Sequence, residues 1–372
     1  MKAKSSKIAF AGTVLLVCFV IQPAISQESM DRPAETRHLL FVGDSFTHGR
    51  YLPVRTYNNT PGTGGLGSTS PSRHVVDENF GTDVPARMEH ASEYDPWGGI
   101  PGIFAELAHE ANLPYDVHME AISATTLAKN YSVASNVIAQ SLWDDVILQE
   151  ASFEPISSSL SHNSKSDPQA FCSAVETIER EVHAAAPHAN VFLYATWAPA
   201  DTAWLDTTAD GAPFSSGEFL RYLAKLTAAY HDAYWSAAAH DGHILNIAPA
   251  GDAWARAWRE GVANPDPYTG SAPGVALSFD YQPGSQPSTR NIPTDAGFHH
   301  PSKYGAYLNG LVLFETITGM DVRRFGQHER AAKDLGIDEQ TAVELQRVAR
   351  EAVAERDERR SETHAGPCAS EN

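Results

Sequence analysis

The sequence predicts an α/β protein with a parallel sheet covered by helices on both faces. Short, nearly continuous apolar segments alternate along the chain with longer segments whose apolar residues recur at helical spacing. Apart from residues 115–121, which alternate, these apolar segments lack the in-and-out alternation of a strand with one wet face, and this favours burial on both sides. With 42% hydrophobic and 20% charged residues among 372, the composition is that of an ordinary globular protein with a sizeable core.

Five segments have the character of buried strands, namely residues 39–42, 115–121, 144–149, 190–194 and 243–249. Helical spacing is found in several segments between and after them: residues 100–112, 168–182, 219–239, 253–262 and a last core helix that Ser302 can cap. No internal repeat or domain boundary interrupts this alternation. We therefore expect one domain over residues 27–319.

Three segments are expected to lie outside this regular core. Residues 51–97 form a long insertion rich in Gly, Pro, Ser and Asn, which is either a substrate-shaping lid or a disordered loop. Residues 320–356 read as a charged helical extension. Residues 357–372 have the composition of a disordered tail.

Residues 1–26 have the pattern of a signal peptide. Three lysines precede an apolar run at residues 8–21, and small residues at 24–26 suit signal peptidase cleavage. The alternative is an uncleaved anchor helix. No later segment approaches the length of a membrane span, so we expect a secreted or periplasmic protein without a membrane span in its mature chain.

Charge and cysteine content narrow the possible partners. The formal net charge is −19, and it becomes −22 without residues 1–26, which argues against a nucleic-acid partner. Cys18 would leave with the signal peptide. Cys172 and Cys368 then remain, and the sequence allows either a disulfide or two free thiols. No Cys/His pattern indicates zinc, and we expect no metal.

Ser45 lies where the first strand should end. The apolar segment 39–42 is followed by Gly43 and Asp44, so the serine hydroxyl would lie at the carboxyl edge of the sheet, where open α/β sheets place their chemistry. The alternative is that Asp44 and Ser45 merely cap the next helix. The G-x-S-x-G elbow of α/β-hydrolases is absent, because Thr47 stands where the second glycine should be.

His300 is the candidate base for a serine nucleophile. It directly precedes Pro301 and the helix start at Ser302, and it follows a loop rich in Pro, Gly and Ser. A base directed at a sheet edge is expected in such a position. A surface histidine in a turn is the alternative interpretation.

Together, Gly43-Asp44-Ser45 and His300-Pro301-Ser302 resemble the SGNH (GDSL-type) hydrolase superfamily, in particular an exported bacterial branch. The similarity extends to residues 143–150 and 248–254. The resemblance implies a flavodoxin-like three-layer α/β/α sandwich with a five-stranded parallel sheet in the order 2-1-3-4-5. It implies Ser45 as nucleophile and His300 as general base. It also implies an oxyanion hole made by the Ser45 N–H, a second backbone N–H and a side-chain amide.

The chain departs from that family pattern at three positions. Ala124 stands near the position of the glycine in the family's second sequence motif, and its backbone N–H can still serve the oxyanion hole. The asparagine of the family's third sequence motif is missing. Gln149 is the nearest side-chain amide that could replace it as an oxyanion donor, and Ser152 is a weaker candidate. Asp295 is the nearest carboxylate to the histidines, although it is not at the family's position. A backbone carbonyl could orient His300 instead.

These residues predict an exported serine esterase that needs no cofactor. Its substrate would be a small-molecule or polysaccharide ester, with O-acetyl groups on carbohydrate as the first expectation by family analogy. The alternative is a non-catalytic, carbohydrate-binding module of the same fold with a degraded acid block. Hydrogen-bond distance between Ser45 and His300 would favour the enzyme.

Overall fold

A parallel sheet of six strands organises the structure. The computed structural model describes residues 1, 35–59, 73–81, 95–266, 274–279, 299–359 and 366–368, without the side chains of residues 210, 358 and 359. The expected signal peptide, except for residue 1, lies outside the described residues, as do parts of the 51–97 insertion and of the loop before His300.

The strands are β1 (Arg37–Gly43), β2 (Val75–Asp77), β3 (Tyr115–Ala121), β4 (Asp145–Leu148), β5 (Asn190–Ala195) and β6 (Asn246–Pro249). Their order is β2-β3-β1-β4-β5-β6, and every pair is parallel. The predicted parallel α/β sheet is thus confirmed, and the five predicted strands keep the order 2-1-3-4-5. The expected strand number was too low, because the insertion adds β2 at one edge, and three residues are too few to show a strand pattern.

The described helices are α1 (Ser45–His48), α2 (Gly99–Glu110), α3 (Leu127–Ile138), α4 (Ser158–Ser161), α5 (Pro168–Ala185), α6 (Ala200–Thr207), α7 (Ser216–Asp241), α8 (Ala250–Arg259), α9 (Lys303–Thr318), α10 (Arg330–Asp334) and α11 (Glu339–Arg359). Alternate residues of β1 face opposite layers. Leu39 and Phe41 pack with α2, α8 and α9, whereas Leu40 and Val42 pack with α3, α5 and α7. This burial on both faces explains the continuous apolar run of the strand.

The C-terminal segment packs against the core. Leu345, Val348 and Val353 of α11 are buried in the same cluster as α8 and α9. Helix α11 runs to Arg359, and residues 366–368 lie beside α7, where Cys368 N–H donates to Ser236 Oγ over 3.4 Å. Of the tail expected to be disordered at 357–372, the structure describes only residues 357–359 and 366–368. None of the described helices has the length and hydropathy needed to cross a membrane.

Cys172 and Cys368, which are 196 positions apart in the chain, form a disulfide that joins α5 to residues 366–368. A cross-link that closes so long a loop removes much conformational entropy from the unfolded chain. We expect the double variant Cys172→Ser/Cys368→Ser to lose about 2–5 kcal/mol of unfolding free energy in chemical denaturation. Reducing agent should destabilise the wild type and leave the double variant unchanged. Equal stability of the two oxidised proteins would contradict the assignment.

Candidate active site

The turn between β1 and α1 presents Ser45. The Asp44 side chain accepts a hydrogen bond from Phe46 N over 2.9 Å and so caps α1. A Cβ on Gly43 would lie 2.3 Å from Thr47 Oγ1 and 2.4 Å from Gln149 Oε1, so only glycine fits this turn. Asp44 alone caps the helix, which leaves the Ser45 hydroxyl available for another partner.

That partner is His300. Its Nε2 lies 2.8 Å from Ser45 Oγ, and the two residues are 4% and 3% exposed. The hydrogen bond joins residues 255 positions apart in the chain. This distance is within the range in which a histidine can accept the proton of a serine nucleophile.

Local structure fixes the backbone around His300. Its carbonyl accepts a hydrogen bond from Phe279 N over 2.9 Å. Two residues later, Ser302 Oγ accepts from Tyr304 N and Gly305 N and caps α9. The rings of Phe46 and Tyr51 meet the imidazole edge-on, with centroids 5.5 and 5.6 Å away. His300 is therefore held by a helix start on one side and by aromatic packing on the other.

Two backbone N–H groups near Ser45 are available to an oxyanion. Within the described residues, the N–H groups of Ser45 and Ala124 donate to no acceptor. Ala124 has φ +52°, the left-handed conformation that glycine adopts most readily, so alanine keeps the turn at a modest cost. The 2.9 Å contact between Ser123 Oγ and His48 Nε2 ties this turn to α1. The role of the two N–H groups as oxyanion donors stays a prediction.

Gln149, the amide expected to serve the oxyanion hole, is hydrogen-bonded to the Ser45 turn and to the next residue of its own chain segment. Its Oε1 accepts from Asp44 N over 2.9 Å and from Thr47 Oγ1 over 2.8 Å, while its Nε2 donates to the Glu150 carbonyl over 2.5 Å. The buried amide thus joins the end of β4 to the Ser45 turn. In this arrangement its main role is to hold the turn in place.

Asp44 and Glu150 are buried carboxyls at the same edge of the sheet. Burial raises the pKa of Asp44 to about 6, against the opposing hydrogen bond from Phe46 N. Burial also raises the pKa of Glu150 well above its ordinary value, although Leu127 N and Ala151 N donate to its carboxyl. Burial therefore disfavours the charged form of both carboxyls relative to the unfolded chain.

The raised pKa of Asp44 predicts a pH-dependent stability. The pKa of Asp44 is higher in the folded protein than in the unfolded chain. Its contribution to the unfolding free energy is therefore fully present below about pH 4 and is lost as the pH rises through about 6. Asp44→Asn can keep the helix cap but cannot titrate. We expect it to reduce the change in unfolding free energy between pH 4 and 8 by about 2–3 kcal/mol. Urea denaturation of both proteins between pH 4 and 8 measures it. Parallel pH curves would contradict the assignment.

A second serine–histidine pair lies beside the first. His299 Nδ1 is 3.0 Å from each carboxylate oxygen of Asp201, and His299 Nε2 is hydrogen-bonded to Ser152 Oγ. Burial opposes the charged form of His299, but the charge and the hydrogen bond of Asp201 outweigh it and raise the pKa of His299. The consecutive residues His299 and His300 are therefore hydrogen-bonded to Ser152 and Ser45, respectively. Ser152 follows β4 and Ser45 follows β1, and these two strands are neighbours in the sheet.

Asp201 is the residue that the sequence did not single out. It lies in the first turn of α6, shortly after β5, and thus at the carboxyl edge where active-site groups gather. No sequence motif marks Asp201. Its position after a strand of the parallel sheet was the signal that could have identified it as a candidate site residue. Asp295, the expected acid, lies outside the described residues. Ser152, considered above as an oxyanion donor, instead contacts His299.

The His299 cluster positions the backbone that carries His300. Trp197 Nε1 donates to the His299 carbonyl over 3.2 Å, and the Trp197 ring stacks on Phe46 with centroids 4.3 Å apart. The His299 ring itself lies 5.1 Å from the Phe46 ring. Together with the Asp201 contact, these interactions fix the residue next to the base from three sides.

Asp201→Asn is therefore expected to weaken catalysis modestly. Loss of the carboxylate lowers the pKa of His299 and loosens its backbone, and we expect about a tenfold fall in kcat/KM. Asp206→Asn, on the same helix, is the matched control and should leave the rate near that of the wild type. A loss as large as that of Ser45→Ala would assign the chemistry to Ser152 and His299 instead.

Comparisons with known proteins find solved structures of partial similarity and low identity. No family model matches the chain, and no curated protein matches it. A DUF4886 family protein from Bacteroides uniformis has a TM-score of 0.46 at 14% identity, over 87% of this chain and 96% of the other. A variant of Axe2, an acetyl xylan esterase from Geobacillus stearothermophilus, has a TM-score of 0.39 at 12% identity, over 81% and 95%.

A more distant solved structure is phospholipase A1 from Streptomyces albidoflavus. Its TM-score is 0.30 at 14% identity, over 59% of this chain and 82% of the other. The chain is similar to these proteins at low identity. Its function is therefore inferred from the geometry of its own Ser45 and His300.

Proposed function

We propose that the protein is an exported serine esterase in which Ser45 and His300 carry out the hydrolysis. The 2.8 Å contact between Ser45 Oγ and His300 Nε2 is the observation that carries this proposal. The Cys172–Cys368 disulfide supports the exported location, since structural disulfides are typical of oxidising compartments.

The reaction follows from the positions of these groups. His300 Nε2 takes the hydroxyl proton as Ser45 Oγ attacks the ester carbonyl, and the N–H groups of Ser45 and Ala124 stabilise the resulting oxyanion. The intermediate collapses, the C–O bond to the alcohol breaks, and His300 returns the proton to the leaving alkoxide. Water then attacks the acyl-Ser45 ester with His300 again as base, which releases the acid and restores the serine.

O-acetyl groups on carbohydrate are the proposed substrates. The near-complete burial of Ser45 and His300 favours a small acyl group over a long chain. Beside them, Tyr51 and Phe279 stack with centroids 3.9 Å apart, and both remain partly exposed. Such an aromatic surface suits the apolar face of a sugar ring.

The test is hydrolysis by the purified protein. We expect release of the phenol from an aryl acetate, a lower kcat/KM for the aryl octanoate, and release of acetate from acetylated xylooligosaccharides. Preference for the octanoate would contradict the proposed substrate class. Binding of the oligosaccharide without hydrolysis of any ester would favour the non-catalytic carbohydrate-binding module.

A further inference from the structure

A second group of functional side chains lies at the opposite end of the sheet. His38 is the second residue of β1, and it pairs in register with Asp116 of β3. His118 pairs with Leu40, two positions along on the same face. His38 lies five residues before Gly43, which is about 16 Å along the strand. The group is therefore separate from Ser45.

The three side chains converge on one point. His38 Nδ1 and His118 Nε2 each lie 3.3 Å from Asp116 Oδ2, and the three potential ligand atoms all lie within 4.8 Å of one another. Zinc binds such ligands at about 2.0–2.1 Å, which places the corners of a tetrahedron about 3.3–3.4 Å apart. The two contacts to Asp116 match that spacing.

Both ring nitrogens face the same carboxylate. His38 Nδ1 and His118 Nε2 are buried atoms without a well-aligned hydrogen bond among the described residues, and each lies at ion-pair distance from Asp116. His118 as a whole is only 9% exposed. Buried imidazole nitrogens that converge on one carboxylate in this way are able to serve as metal ligands together with it.

The other nitrogen of His118 has the partner that metal-bound histidines usually have. His118 Nδ1 lies 2.5 Å from Glu78 Oε1, just after β2. A carboxylate on the distal nitrogen fixes the ring orientation and strengthens the ligand. Glu78 N–H also donates to the Met119 carbonyl over 3.0 Å, so the group joins β2 to the sheet.

We propose that His38, Asp116 and His118 bind a divalent transition metal, with zinc as the natural occupant. Two imidazoles and one carboxylate suit this class of ion better than they suit calcium or magnesium. The side chains of His38 and Asp116 are 30% and 44% exposed, so water can occupy the fourth position. The ion would hold β3 to β1 and, through Glu78, fix the edge strand β2. This proposal departs from the expectation of a metal-free protein.

The experiment is a zinc titration of the chelator-treated full-length protein by calorimetry. We expect one ion per chain with a Kd of about 1 μM or tighter. His38→Gln and Asp116→Asn should weaken binding at least about 100-fold, whereas Glu78→Gln, which keeps all three ligands, should weaken it about 10–100-fold. His188→Gln is the control for the other exposed histidines and should bind as the wild type does.

Two further measurements keep the proposal testable if a variant folds poorly. Zinc at about 100 times Kd should raise the Tm of the wild type by about 5 °C and leave that of Asp116→Asn unchanged. Cobalt in the wild type should give the visible absorption of a four-coordinate ion. Absence of zinc binding by the wild type, or equal binding by Asp116→Asn, would overturn the site. The cluster would then be a protonated His118 between two carboxylates.

Discussion

Replacing Ser45 with alanine is expected to lower kcat/KM for an aryl acetate by about a thousandfold or more. The loss follows because Ser45 Oγ forms the covalent bond to the acyl group, and its hydroxyl is the one hydrogen-bonded to His300 Nε2. The measurement is steady-state hydrolysis by purified wild type and variant, with circular dichroism to show that both are folded. A KM similar to that of the wild type would show that the substrate still binds.

Ser132→Ala is the matched control for this variant, because Ser132 is an exposed serine on α3. We expect it to retain the wild-type rate. Equal rates for Ser45→Ala and the wild type would remove Ser45 from the mechanism. Ser152, hydrogen-bonded to His299, would then be the next candidate nucleophile.

His300→Gln is expected to lower kcat by about a thousandfold. Glutamine can still hydrogen-bond to Ser45, but it cannot accept the serine proton or return it to the leaving alcohol. His240→Gln, at the exposed end of α7, is the control and should have little effect.

The double variant Ser45→Ala/His300→Gln separates a joint role from independent ones. Because the two residues act as one unit, the double variant should be about as slow as either single variant. Losses that multiply would mean that His300 supports the reaction without acting on Ser45, and the proposed mechanism would then be wrong.

The regular part of the fold was predictable from the sequence, because burial on both faces makes several of the parallel strands nearly continuous apolar runs. Leu39 to Val42 is the clearest case, since alternate residues enter opposite layers of the core. Strand β2 was missed because three residues show no such run. It is recognisable only through its pairing with β3.

Ser45 and His300 could be selected because each lies next to a local marker, Gly43-Asp44 before the serine and Pro301-Ser302 after the histidine. Asp201 could not be selected from the sequence, because it contacts a histidine 98 positions away. That contact depends on how α6 follows β5. The role of Gln149 was also beyond the sequence. It depends on the distance between two strand ends.

The cluster of His38, Asp116 and His118 was likewise hidden. The pairing of His38 with Asp116 depends on the register between β1 and β3, and residues 78 positions apart carry no mark of that register. Hydrophobic patterns predict which strands exist and which faces are buried. They do not determine which polar residues of two strands meet at a sheet end.

The most direct test of the central claim asks which serine reacts. A fluorophosphonate probe bonds covalently to the nucleophilic serine of a serine hydrolase, and tryptic digestion then separates the two candidates. Ser45 is the only serine of the peptide 38–50, whereas Ser152 lies in the peptide 130–165. We predict the adduct on 38–50 in the wild type and its loss in His300→Gln. An adduct on 130–165 that persists in Ser45→Ala would contradict the assignment of Ser45 and His300 as the catalytic pair.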